Sequence, residues 1–579
     1  MSTRQKTVKK PKAAKEAEKQ STKLPASTIL KNVGRAAALL LIAGIASPVS
    51  QLNLSPVYGS IPSSLHHQRS MTVTAIAALI ARNSVKKYVP DSVSEYIAII
   101  AYWTPVIQFL LFPYSSQLGI EYGPLIIESA TYFPLLFLSV YAAFDLLDCI
   151  DLSQFNLPNT IKQILLPMAS YFTVSTTSKL AGASLPSLVG THFFFTRVGF
   201  QMLLASASAF LTPNRIILAA FPAILHTLYA NPHDPSEGAL ARANATLAAT
   251  HNFTILARQE SNTGYVSVLE NHADAAFRLL RCDHSLLGGE WLVTPDAYAK
   301  GQRQRETIFS VFVLLEAVRL VETPAAALPA ADTSALVIGL GIGTAPNALI
   351  AHGINTTIVE LDPVVHAYAT KYFALSPNHN AVIDDAVAYV ARTSRSHPAS
   401  YTYIIHDVFT GGAEPAALFT KEFLTGLYEL LTPDGAVAIN YAGDLALGST
   451  QLVLNTIHAV FPACRLFRDQ PRAADHVPGG PDFINMVVFC VKDDRGRGKD
   501  ALRFRAATEA DVMGSLARRN YLQPKKELEI AYEYVPTERG GREMTRADVG
   551  ELEKYHKEGA VSHWRIMRTV LPDGVWEMW

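Results

Sequence analysis

Between about Ala36 and Ala230 apolar runs follow one another with few charges inside them, and that pattern constrains the fold more than any motif. A run of about 20 apolar residues crosses a hydrocarbon core roughly 30 Å thick as a helix, because its backbone polar groups must be satisfied internally. Candidate spans lie near 29–49, 71–83, 94–113, 122–144, 160–178, 193–211 and 214–230. The second is short and can be re-entrant, so six or seven spans are expected. Glu128 and Arg197 fall inside spans, where a charge needs a partner or an interface, and they can pair with each other or snorkel. Asp145, Asp148 and Asp151 recur every three residues at a span end, which reads as an acidic interface ahead of a cation site.

Composition agrees with this reading. Of 579 residues 49% are hydrophobic and 17% charged, against about 25% charged in soluble domains. Lys plus Arg and Asp plus Glu are both 50, which leaves no net field for a nucleic acid backbone. Charge is local instead. Residues 1–28 form a basic tail (Arg4, Lys6, Lys9, Lys10, Lys12, Lys15, Lys19 and Lys23) expected to be disordered and, by the positive-inside rule, cytosolic. Arg82, Lys86 and Lys87 fit a cytosolic return. Cys149, Cys282, Cys464 and Cys490 are widely spaced without a CxxC pair, which argues against a disulfide scaffold or a zinc site and for a reducing compartment.

After the Asn231–Glu237 loop the character becomes that of a soluble domain reaching about Lys492. Runs such as "GYVSVLE" and "FRLLRCD" predict a small β region within residues 246–292, and "ETIFSVFVLLEAVRL" a helical stretch. From Ala335 strands and helices alternate, the order of a parallel sheet covered on both faces. Residues 493–579 carry no catalytic motif, and Trp576 and Trp579 read as docking anchors.

"ALVIGLGIGT" joins a buried strand to a turn containing Gly339, Gly341 and Gly343. Glycine takes φ > 0 and lets a ligand approach the backbone. A dinucleotide fingerprint would need glycine or alanine at Thr344, so the turn suits a nucleoside without a pyrophosphate. The next strand ends in Glu360 and Asp362, where a carboxylate can accept both ribose hydroxyl protons. The third ends in Asp384 and Asp385, beside the expected adenine, and the fourth in Asp407. One such acid is easily a helix N-cap; acids at three successive strand ends beside a glycine turn favour a site.

The order "VIGLGIGT", "VELDP", "VIDDA", "YTYIIHD" and "LFTKEFLTGLYELLTPDGAVAIN" resembles the spermidine synthase family of polyamine aminopropyltransferases, a branch of the S-adenosylmethionine-dependent methyltransferase fold. The resemblance covers about residues 255–492, and the whole chain resembles fungal membrane proteins carrying such a domain. It implies that Glu360 binds ribose, Asp385 lies on the adenine side and Asp407 accepts a proton from the attacking amine. Departures bear on the substrate. The family turn is GGGDGG, whose Asp holds the aminopropyl nitrogen of decarboxylated S-adenosylmethionine, and Ile342 stands there. The second acid of the family's DSSDP pattern is missing from "DVFTGG", and Gly264 and Leu287 stand near the expected glutamines, whereas Asp283 matches.

The expectation is a multi-pass α-helical membrane domain over residues 29–230, then an α/β Rossmann-like methyltransferase fold with a small β region over 246–492, and a 493–579 extension. The resemblance implies a transferase using S-adenosylmethionine or its decarboxylated form, moving an aminopropyl group to a polyamine. Methyl transfer from intact S-adenosylmethionine, which Ile342 favours, and polyamine transport or sensing are the alternatives. Its partners are a small amine or other nucleophile and the bilayer, with no nucleic acid and no metal, and the domain can be monomeric or a homodimer. An even span number keeps the domain cytosolic, while sequons at Asn244, Asn252 and Asn355 point the other way.

Overall fold

The computed structural model describes residues 25–85, 93–150, 152, 156, 158–323, 329–408, 415–472, 482–493, 496, 498, 502–536 and 539–579. Most of the basic tail, Lys86, Lys87 and Asp151 lie outside these residues.

Among the described residues ten α-helices make the first part: α1 (Ala26–Tyr58), α2 (Ser60–Ser64), α3 (His67–Val85), α4 (Glu95–Leu111), α5 (Ser115–Ala130), α6 (Tyr132–Leu147), α7 (Asn159–Leu188), α8 (Arg197–Leu211), α9 (Phe221–Tyr229) and α10 (Glu237–His251). Helix α1 starts at Ala26, so the last residues assigned to the tail are helical. It is central and packs on α6, α7 and α8. Small residues permit this approach: a Cβ on Gly44 would stand 2.6 Å from Thr177 of α7.

Among the described residues two helical stretches, α1 and the continuous α4–α5 run Glu95–Ala130, are long and apolar enough to cross a membrane, and 132–147, 197–211 and 216–229 are shorter apolar helices. That corrects the count of six or seven spans. The 122–144 run is cut at Thr131, whose φ of −127° and ψ of −81° separate α5 from α6. Nor do Glu128 and Arg197 pair with each other. Glu128 is buried against His67 Nδ1 (2.8 Å) and accepts from Ser50 Oγ (2.7 Å). Arg197 leaves the bundle for Glu260 and Asp283.

Strands β1 (Phe253–Glu260), β2 (Tyr265–Asn271), β3 (Phe277–Cys282), β4 (Ser285–Trp291) and β5 (Glu306–Thr307) form an antiparallel meander in that order. The small β region is therefore present, but residues 246–251 belong to α10. Ser236 caps that helix by accepting from Ala239 N, and left-handed Asn252 ends it. The stretch read as helical at 306 opens with β5, and the helix α11 (Ser310–Leu315) follows.

The second sheet contains β6 (Ser334–Ile338), β7 (Asn355–Glu360), β8 (Asn380–Ile383), β9 (Tyr401–His406), β10 (Leu431–Asp444), β11 (Ala463–Arg468), β12 (Phe483–Val491) and β13 (Glu529–Ile530). Its order is β13-β11-β12-β10-β9-β6-β7-β8. Strands β6 to β10 are parallel, and β12, β11 and β13 add antiparallel pairings. Side-chain alternation in β6 feeds two cores: Ala335 and Val337 face one, Leu336 and Ile338 the other. Helices α12 (Thr344–Ala351), α13 (Pro363–Tyr372), α14 (Ala386–Ser396), α15 (Lys421–Leu430) and α16 (Gly448–Val460) connect the strands. This is the Rossmann-like methyltransferase topology that the alternation predicts.

Helices α17 (His556–Val570) and α18 (Asp573–Glu577) return to the bundle. Trp564 Nε1 donates to Val57 O (3.1 Å), and Trp576 and Trp579 are buried, as docking anchors should be. Arg281 of β3 donates to Pro56 O (2.6 Å), Val575 O (2.8 Å) and Trp576 O (2.9 Å), tying bundle, meander and return segment together. One expectation fails on the opposite flank. Cys464 and Cys490 form a disulfide, because antiparallel β11 and β12 set them directly opposite each other. Linear spacing hides that register.

Candidate active site

The parallel sheet reverses its winding between β6 and β9, and a crevice opens at the C-terminal ends of strands at such a point. Asp407 N donates to Ile338 O (2.9 Å), so the first residue after β9 lies beside the glycine turn after β6. The cavity here, about 330 Å³, is lined by Gly339, Leu340, Gly341, Glu360, Asp384, Asp385 and Asp407 on the nucleotide-fold side. Gly59, Ser60, Thr263, Cys282, Asp283, His284, Ser285 and Leu287 line it too, from the bundle and the meander.

The turn needs its glycines for two reasons. Gly339, Gly341 and Gly343 have φ of 82°, 54° and 85°. A Cβ would also stand 2.1 Å from Asp407 O at Gly339 and 2.4 Å from Leu287 O at Gly341. Gly343 serves differently: it precedes α12, packs toward Leu375 and is not part of the cavity lining. Ile342 also turns away. It is buried in the core, and a Cβ on Gly288 of β4 would lie 2.9 Å from its Cγ1.

Glu360 ends β7 with one oxygen accepting from Leu340 N (3.0 Å) and the other from Asp362 N (2.8 Å). Each carboxylate oxygen retains a lone pair for a hydroxyl, which fits a ribose diol. Burial pushes its pKa up to about 7, against the pull of those N–H groups. Asp385 caps α14 through Val387 N (3.0 Å) while also lining the cavity. Asp384 is held by Arg392 (2.8 Å), whose hydrogen bond keeps its carboxyl below the usual range. Asp362 is mostly a structural cap, accepting from Val364 N (2.8 Å) and from Ser261 Oγ (2.6 Å).

Asp407 is half-buried, and desolvation raises its pKa to about 6. Asn440 Nδ2 donates to its Oδ1 (2.7 Å), which favours the anion and orients the group. A carboxylate with this pKa is mostly ionised at neutral pH yet basic enough to take a proton. Asn440 escaped the sequence reading, although a lone amide in the apolar run "AVAIN" of a central strand was a usable signal. Gly59, Ser60 and His284 had no such signal, since they reach the site only through tertiary packing. Among the described residues no group of three or more His, Cys, Asp or Glu could hold a metal ion.

Comparison with known proteins gives four findings. Residues 319–467 match the spermine/spermidine synthase domain. The chain is 44% identical over 553 residues, 94% of its length and 97% of the relative's, to an N-terminal histidine N-methyltransferase of Emericella nidulans. A polyamine aminopropyltransferase of Vibrio vulnificus is 38% identical over 109 residues, 18% of this chain and 36% of that one. Among solved structures, a probable spermidine synthase from Corynebacterium glutamicum aligns over 49% of this chain and 98% of its own, with 16% identity and a TM-score of 0.33.

Proposed function

The chain belongs to the family of the Emericella nidulans N-terminal histidine N-methyltransferase and is a transferase whose donor is S-adenosylmethionine, and we propose that it methylates a nitrogen of an N-terminal histidine. This replaces aminopropyl transfer as the leading reading. The observation that carries it is the glycine turn. Its cavity-facing residues are Gly339, Leu340 and Gly341, none acidic, so an aminopropyl ammonium would find no anion there. An intact donor's carboxylate is instead repelled by nothing in the turn and can use backbone N–H groups.

Glu360 would hold the ribose, Asp385 would lie beside adenine, and the Gly339–Gly341 backbone would pass along the nucleoside. The sulfonium methyl carbon is the electrophile that the donor supplies. Asp407, kept ionised by Asn440, removes the proton that the acceptor loses once its nitrogen has bonded to that carbon. Positioning of the two reactants in one cavity supplies much of the rate. The test is direct: full-length protein, S-adenosylmethionine and a peptide beginning with histidine should give a singly methylated peptide by mass spectrometry. An aminopropylated polyamine from decarboxylated donor, with no methyl transfer, would overturn it.

We propose further that the bundle is seated in a bilayer. Phe210, Leu218, Tyr229 and Leu180 on its outer helices and Phe193 in the turn before α8 are 66–86% exposed. For the methyltransferase domain, the Cys464–Cys490 disulfide favours an oxidising compartment over the cytosolic side first expected. In that compartment Asn252 and Asn355, which are exposed, should carry glycans. Asn244 should not, because its amide is committed to Ile255 N (2.7 Å) and Ile255 O (3.1 Å). Glycosidase-sensitive mass at neither exposed site would favour the cytosolic placement.

A further inference from the structure

An N-terminal histidine carries two kinds of nitrogen, an α-ammonium and an imidazole, and the cavity offers two separate carboxylates. Asp407 stands beside the glycine turn. Asp283 stands on the opposite wall, at the tip of the β3–β4 hairpin, where it takes a φ of 46° and donates its own N–H to Tyr265 O (3.0 Å). Its Oδ1 is saturated by Arg197 Nη2 (2.9 Å) and Tyr265 N (2.9 Å). Its Oδ2 lies over Gly264, where a Cβ would come within 3.0 Å of it, and has no hydrogen-bond donor among the described residues. The side chain is 14% exposed and lines the cavity.

Arg197 does not satisfy Asp283 alone, since the same guanidinium also pairs with Glu260. Neighbouring Arg281 gives its donors to the carbonyls of Asp283, Pro56, Val575 and Trp576, and its side chain makes no bond to the Asp283 carboxylate. His284, the other residue at the hairpin tip, stacks on Trp576 at 4.2 Å and accepts from Arg568 Nε (3.1 Å). Burial holds its imidazole neutral, so it brings no competing cation to the cavity. The cavity thus has a fixed anion with one oxygen unused, held in place by a residue of the helical bundle.

Resting on the reading of N-terminal histidine methylation, we infer that Asp283 binds the α-ammonium of the acceptor histidine, a subsite for the chain terminus separate from the base Asp407. A carboxylate beside the α-nitrogen keeps it protonated, without a lone pair for attack. The imidazole, with a pKa of about 6.5, is mostly neutral at pH 7 and does have one. Its unprotonated nitrogen attacks the methyl carbon, the carbon–sulfur bond breaks with its electron pair going to sulfur, and the proton on the other ring nitrogen passes to Asp407. Arg197 is then a positioning residue, through which the bundle shapes the acceptor site.

The test compares two peptides with full-length protein: one beginning with histidine, the other identical but lacking the α-amino group. The unmodified protein should prefer the first by roughly 10²-fold or more in kcat/KM, because the second leaves Asp283 unpaired. Fragmentation should put the methyl group on the ring. Asp283→Asn should turn over both peptides within a few-fold of each other, with unchanged S-adenosylmethionine binding as the check that it is folded. Equal use of both peptides by the unmodified protein, a methyl group on the α-nitrogen, or undiminished preference in Asp283→Asn would each overturn the inference. The first two need no variant. Transfer to neither peptide while the donor binds would instead sink the function on which the inference rests.

Discussion

The two walls of the cavity are built by different rules. On the nucleotide side each residue comes from the end of its own strand: Gly339 after β6, Glu360 at the end of β7, Asp384 and Asp385 after β8, Asp407 after β9. On the other side Gly59 and Ser60 come from a helix break, and Thr263 and Asp283 from hairpin turns some 200 residues further along the chain. Arg197 of the bundle holds that wall together through Glu260 and Asp283. The first wall follows from local order in the sheet, and the second exists only once bundle and meander have docked. Donor binding should therefore depend on local features, and acceptor choice on the whole chain.

Asp407→Asn separates the walls most sharply. Turnover should fall by about 10²- to 10⁴-fold while calorimetric donor affinity stays unchanged. In the unmodified protein kcat/KM should fall by more than about tenfold per unit below about pH 6, because protonated Asp407 cannot accept the acceptor's proton and the acceptor imidazole has itself lost its lone pair. Persistent activity in the variant would mean that another group is the base.

Next comes Ile342→Asp, which tests whether the turn belongs to the donor wall alone. Because this side chain is buried against Gly288, the substitution should cost about 3–5 kcal/mol of stability, read from denaturant unfolding. An acid facing the ligand at this position would simply favour the decarboxylated donor; burial makes instability the dominant result. Retained stability with switched donor preference would show that position 342 can face the ligand.

Glu360→Gln should weaken donor binding by roughly 1–3 kcal/mol without changing the preference between acceptor peptides. Its pKa near 7 has a further consequence: donor affinity should decline as pH falls through 7, since the protonated acid loses one strong acceptor. Flat affinity from pH 8 to pH 6, about a unit either side of that value, would remove Glu360 from the ribose site.

The smallest effect belongs to Asn440→Ala. Its amide stabilises the Asp407 anion, so its loss should raise that pKa and move the acidic limb of the rate profile to higher pH. A shift of less than about one unit is expected for a single hydrogen bond. An unmoved limb with lowered rate would make Asn440 a packing residue.

How much of this was legible followed the same division. The strand ends, the glycine turn and the β region could be read because period-2 burial and terminal acids are local signals. "SALVI" and "YTYIIH" are mostly apolar and buried almost throughout because both faces of those strands are covered. Helix boundaries in the bundle were less legible: Pro134, which has no N–H and excludes the carbonyl of Ala130, marks the break at Thr131, but Pro48 and Pro105 sit inside helices, so proline alone did not tell a break from a continuing span. The disulfide was invisible because register, unlike spacing, decides which cysteines meet. Asp283 was legible only as a family match, and Arg197, read as a charge stranded in a span, proved to be the clamp that holds it.

Ile342 and Gly288 together carry an evolutionary consequence. With a φ of 144°, Gly288 has little tolerance for a side chain, and the aliphatic residue above it fills the space that its missing Cβ leaves. An acid cannot enter the turn by one substitution without being buried there. It would have to arrive together with a reshaped β4, and the intermediates would be unstable. A lineage that once placed Ile342 on Gly288 would thus be held to its donor by epistasis, long after selection on the reaction itself had relaxed.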